Sequence, residues 1–77
     1  LRDGARALMH AQLAVEAQPS STHLDTLAAA YAETGLFDRA VATQQQALAA
    51  LLKDDAGERS ALERRLNAYQ KAQPWRE

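Results

Sequence analysis

Four runs of apolar residues at helical spacing organise this chain. In the first, Leu8, Ala11, Ala14, Val15 and Gln18 follow an i, i+3, i+4, i+7 pattern that predicts a helix from about Asp3 or Gly4 to Gln18. Pro19 ends it, because a proline pushes the residue before it out of the α region. A turn, "PSST", follows. Ser21 or Thr22 is placed to cap a second helix, and Thr22 with Asp25 has the spacing of a capping box. Leu24, Leu27, Ala28 and Tyr31 share one face of that helix, and Gly35 stands where a helix C-terminus favours positive φ. The third helix is predicted from Phe37 or Asp38 to about Leu52, with Ala40, Val41, Gln44, Ala47, Leu48 and Leu51 on its inner stripe. "KDDAG" breaks the pattern. Asp55 and Glu58 again have capping-box spacing, and a fourth helix to about Lys71 or Gln73 groups Leu62, Leu66 and Tyr69 before Pro74 closes it. The short connections make consecutive helices antiparallel, so the expected fold class is all-α, with about four helices in antiparallel pairs.

Composition narrows the function more than it names one. The chain has 77 residues, one domain at most, and its small core leaves little room for a deep cleft. Alanine carries much of the apolar content, which favours closely packed helices over a sheet. Nine basic and ten acidic residues leave a net charge of -1, so no global attraction to nucleic acid or an anionic membrane is expected. Cysteine is absent, which removes disulfides, thiolate metal sites and thiol catalysis. No apolar run reaches the roughly 18–20 residues of a membrane span, and no signal-peptide core is visible; the compartment is left open. The sequence starts at Leu1 rather than a methionine and reads as a piece of a longer protein.

The chain also repeats itself. A shift of 33 positions aligns Arg6 with Arg39, Ala7 with Ala40, Gln12 with Gln45, Ala14 with Ala47 and Ala17 with Ala50, and a helix pair recurring at such a period is the signature of a helical solenoid. Residues 24–52 resemble a tetratricopeptide repeat. Leu24, Leu27, Ala28 and Tyr31 stand at the tryptophan, leucine, glycine and tyrosine positions of its first helix. Gly35 is the inter-helix glycine, Phe37 the large apolar residue after it, and Ala40 and Ala47 the small positions of the second helix. Residues 4–19 resemble the second helix of a preceding repeat, with Ala7, Ala14 and Pro19 at the matching positions. There are three departures: Gln44 replaces an aromatic residue, Leu52 replaces the closing proline, and "KDDAGERS" leaves the repeat register. The resemblance implies a right-handed solenoid. Residues 4–19 then belong to a preceding repeat, 22–52 form one full repeat, 56–73 a terminal capping helix with Glu63, Arg64, Asn67 and Gln70 turned to solvent, and 74–77 a tail. "AYQKAQPWRE" resembles the last helix and tail that follow final repeats in bacterial multidomain proteins.

Candidate chemistry is sparse. His10 and His23 lie on different helices without a companion cluster at ligand spacing, so no metal is expected. Asp25 and Glu33 are eight residues apart, about 12 Å along a helix, too far for an acid–base pair. Ser20, Ser21 and Thr22 lack an activating base and read as caps. Arg64, Arg65, Lys71 and Arg76 make the last helix mildly basic, but Glu58, Glu63 and Glu77 interrupt the stripe, so a phosphate surface is not the expected reading. Trp75 is either a partner anchor or a side chain folded back on the last helix.

No enzymatic activity and no cofactor are expected. What the resemblance implies is a protein-interaction module, in which the first helix of each repeat lines a concave groove. Here the groove positions are Thr22, Asp25, Thr26, Ala29, Ala32 and Glu33, a neutral to acidic set suited to a basic or apolar segment of a protein or peptide partner. The alternative is a structural role, as a solenoid cap or a homo-oligomerisation element. Met9 and Leu13 lie off the main stripe of the first helix and are the expected self-association residues.

Overall fold

The computed structural model describes residues 4–51 and 55–73. Expectations for Asp3, Leu52, Pro74, Trp75, Arg76 and Glu77 lie outside those residues. Within them the chain is all-α, with α1 (Gly4–Ala17), α2 (Ser21–Glu33), α3 (Phe37–Ala50) and α4 (Ala56–Gln70), each packed on its neighbour in sequence. Side-chain pairings show each pair to be antiparallel. Gln12 meets Tyr31 across α1 and α2 while Val15 packs towards Leu24. Arg39 sits over the Tyr31 ring, whereas Ala47 and Leu51 reach Leu24 at the other end of α2. The Cα radius of gyration, 11.7 Å, is close to that of a compact domain of this length, about 11.5 Å.

Helix ends follow from local chemistry, not always from the residue the sequence suggested. The cap of α2 is Ser20, one position earlier than expected. Its backbone is extended and its hydroxyl accepts from the His23 N–H at 3.2 Å. Ser20 has the extended backbone that a cap requires, and the Thr22–Asp25 capping box does not form. At the other end Gly35, at φ 81°, lets its own N–H reach the Ala32 carbonyl and the Leu36 N–H reach the Tyr31 carbonyl. These are the two bonds of a Schellman motif, in which glycine takes positive φ without a Cβ penalty. The same pair of bonds ends α4, from Ala72 to Tyr69 and from Gln73 to Ala68, with Ala72 held at φ 57°. An alanine there pays a cost that glycine does not. α3 stops at Ala50, short of the expected end, where Leu51 turns extended and tucks its side chain against Leu24, Ala47 and Leu62. Asp55 precedes α4 without a side-chain capping bond, so its capping box is also absent.

Two apolar clusters fill the interior. Ala11, Leu27, Ala28, Tyr31, Ala32, Ala40 and Tyr69 form one; Leu24, Ala47, Leu51 and Leu62 form the other, and Val15 packs against both. Leu24, Leu27, Ala28, Tyr31, Ala40 and Ala47 are all buried as their spacing requires. Ala28, Ala40 and Ala47 have no exposed surface, so α2 and α3 approach as closely as a methyl group permits. Ala7, matched to Ala40 by the repeat, is exposed instead. Glu63, Arg64, Asn67 and Gln70 face solvent on α4.

A larger side chain at the closest point must force the helices apart. Ala28→Leu and Ala40→Leu should each lower unfolding free energy by about 1–3 kcal/mol through overpacking, measured by urea denaturation, while Ala49→Leu at an exposed α3 position leaves it within about 0.5 kcal/mol.

Candidate functional site

A buried polar cluster joins α2, α3 and α4. Gln44 projects from the inner stripe of α3 and is completely buried. Its Nε2 donates to Asp25 Oδ1 at 3.0 Å and to the Leu62 carbonyl at 3.1 Å. Both amide protons are therefore used, and because both partners are acceptors, the amide orientation is fixed. Gln44 Oε1 is buried without a hydrogen-bond partner. The second carboxylate oxygen of Asp25 accepts from Arg65 Nη1 on α4 in an ion pair. The two side chains are 19% and 26% exposed respectively, so water screens the pair only in part.

Tyr69 lies one helical turn beyond Arg65. Its ring is buried among Ala11, Leu27, Ala28 and Ala40, and its hydroxyl has no hydrogen-bond partner. Burial pushes its pKa up to about 12, with the charges of Asp25 and Glu33 adding to the effect and Arg65 opposing it. The phenol is neutral at physiological pH, and the hydrogen bonds of the cluster run between helices.

The expected groove residues separate into two groups. Thr22, Thr26 and Glu33 are exposed and Ala29 is half-buried, so these four remain on the open side of α2. Ala32 is buried in the core, and the Asp25 carboxylate is held by Gln44 and Arg65. Thr26 also donates its hydroxyl to the Thr22 carbonyl at 3.0 Å. Four of the six positions thus lie on the open side of α2, and two are engaged within the fold. Arg65 and Gln44 were legible only as a basic-stripe residue and a departure from the repeat. A polar residue on an apolar stripe nevertheless demands a partner, and that demand is the signal leading to Asp25.

The other candidates have local roles. His23 Nδ1 lies 2.8 Å from the Gln18 carbonyl, an acceptor, so that nitrogen carries the proton. His10 is exposed on α1. Among the described residues no group of three or more His, Cys, Asp or Glu could hold a metal ion, and no helix is long and apolar enough to cross a membrane. A shallow depression of about 320 Å³ at the α2–α3 turn is lined by Gly35, Leu36, Phe37, Asp38 and Arg39. Among the described residues three large apolar side chains are exposed: Met9 at 52%, Leu13 at 55% and Leu36 at 42%. The first two lie on α1, opposite the buried Ala11.

Comparison with family models, with curated proteins and with solved structures gives no match.

The unpartnered hydroxyl makes Tyr69 a sensitive reporter of the cluster. Removing a buried, unsatisfied polar group relieves its desolvation, so Tyr69→Phe should raise stability at pH 7 by about 1 kcal/mol. The folded-state pKa is raised above the ordinary value of 10.0. The unfolded chain therefore releases this proton first, and stability falls as pH rises from about 10 to about 12, by up to about 1.4 kcal/mol per pH unit. Urea unfolding across that range should show the slope in the parent and lose this contribution in Tyr69→Phe.

Proposed function

We propose that this chain is a protein-interaction module of the tetratricopeptide type, a piece of a helical solenoid with no catalytic chemistry of its own. In favour of the repeat reading, Leu24, Leu27, Ala28 and Tyr31 are buried against Ala40 and Ala47, and Gly35 supplies the positive-φ turn between their helices. The polar outer face of α4 suits the end of such an array.

The observation that carries the interaction role is the pair Met9 and Leu13, each more than half exposed and four residues apart on the outer side of α1. Large apolar side chains grouped on one face mark a contact surface more often than scattered ones do. A second surface is the open side of α2, where Thr22, Thr26, Ala29 and Glu33 remain after Asp25 and Ala32 are taken into the fold. Its small side chains suit an apolar segment.

Selection of peptides from a randomised library on the immobilised domain tests this role. Enriched peptides should shift backbone amide resonances of α1 or of residues 22–33 and bind at least tenfold more weakly to a Met9→Ser, Leu13→Ser double variant or to Thr26→Arg. A library that enriches no sequence beyond those found on an unrelated helical domain would contradict it.

A further inference from the structure

The outer face of α1 has an internal symmetry that selects its occupant. Arg6, Met9, Leu13 and Glu16 are all exposed, and their spacing of three, four and three is that of successive a and d positions in a heptad. At about 100° per residue they fall within roughly 80° of arc, on the side of α1 away from Ala11. Along the axis the order is cation, apolar, apolar, anion. A two-fold axis beside Ala11, perpendicular to the helix, carries position 9 onto 13 and position 6 onto 16. In an antiparallel pair of α1 helices, each Met9 then meets Leu13 of the second copy and each Arg6 meets its Glu16. A parallel pair would instead set Arg6 against Arg6 and Glu16 against Glu16.

We propose that this face binds a second copy of the chain, with the two α1 helices packed antiparallel across that axis. The proposal rests on the interaction-module reading and deepens it by naming the partner and the register. Such an interface is isologous, so one stripe supplies both halves. Its apolar centre excludes water and its charged ends set direction, the arrangement by which flanking charges choose orientation in paired helices. Arg6 also has an interaction within its own chain; the two-fold pairing adds Glu16 of the second copy to its surroundings. One pair of 14-residue helices covers less than the roughly 1,200–2,000 Å² of a standard interface, so a weak, reversible association is expected.

Sedimentation equilibrium up to about 1 mM protein, with circular dichroism to verify helicity, tests the proposal. The parent should be a reversible dimer and the Met9→Ser, Leu13→Ser variant a monomer throughout. Arg6→Glu and Glu16→Arg should each weaken association at least threefold, and the two together should restore it to within twofold of the parent, because the swap re-forms the opposite-charge pairs. Since the chain has no cysteine, oxidising an equimolar mixture of Met9→Cys and Leu13→Cys should yield mainly the mixed disulfide by mass spectrometry. A parent that stays monomeric, a charge swap that adds the two losses, or a predominance of either symmetric disulfide overturns the second-copy assignment. Each of these results leaves the peptide selection standing as a separate test of the module itself.

Discussion

The carboxylate of Asp25 is the point on which three of the four helices meet. One oxygen takes a proton of Gln44 from α3, the other takes a proton of Arg65 from α4, and Asp25 itself stands in the second turn of α2. Apolar packing alone would leave α4 with few constraints. Its large apolar side chains are Leu62, Leu66 and Tyr69, and an apolar contact tolerates sliding and rotation that a bifurcated carboxylate does not. The polar bonds fix its height and rotation, and Leu62 and Tyr69 then fall into the two apolar clusters. The cost is visible in the same place, as a buried Gln44 oxygen and a buried Tyr69 hydroxyl without partners.

That constraint also separates framework from surface. The Asp25 carboxylate is engaged by two internal donors and Ala32 is buried, while Thr22, Thr26, Ala29 and Glu33 lie on the open side of α2. The outer side of α1 carries Met9 and Leu13, two of the three large apolar side chains exposed among the described residues. The interaction role proposed for this chain rests first on the flank of α1 and second on the open side of α2, where α4 engages Asp25.

Legibility in the sequence divides by the range of the interaction. Leu24, Leu27, Ala28, Tyr31, Ala40 and Ala47 could be placed in the core beforehand because periodicity along a helix is a local property. Gly35 was readable for the same reason. Ser20 was missed as a cap because three consecutive hydroxyl residues compete for that position and their types alone do not decide between them. The α3 terminus was misplaced because Leu51 is held in extended geometry by Leu24 and Leu62, residues far away in sequence. Ala72 gave no signal, since alanine is not the residue a left-handed cap prefers. The Asp25–Arg65 pair spans 40 positions and depends on how α2 and α4 lie relative to each other. Asp25 therefore read as a ligand-facing acid in the sequence, where its bonds to Gln44 and Arg65 could not be seen. The α1 stripe was half legible: Met9 and Leu13 stood out, while Arg6 and Glu16 acquire meaning only once Ala11 shows which side is outward.

If Asp25 and Arg65 jointly locate α4, their effects on stability cannot be independent. A double-mutant cycle by urea denaturation, with Asp25→Ala, Arg65→Ala and the combined variant, measures that dependence directly. The partly exposed pair and its hydrogen-bonded surroundings predict a coupling of about 1–2 kcal/mol, together with a loss of slow amide exchange in α4 in either single variant. Additive effects within about 0.3 kcal/mol, with α4 protection unchanged, would contradict the account.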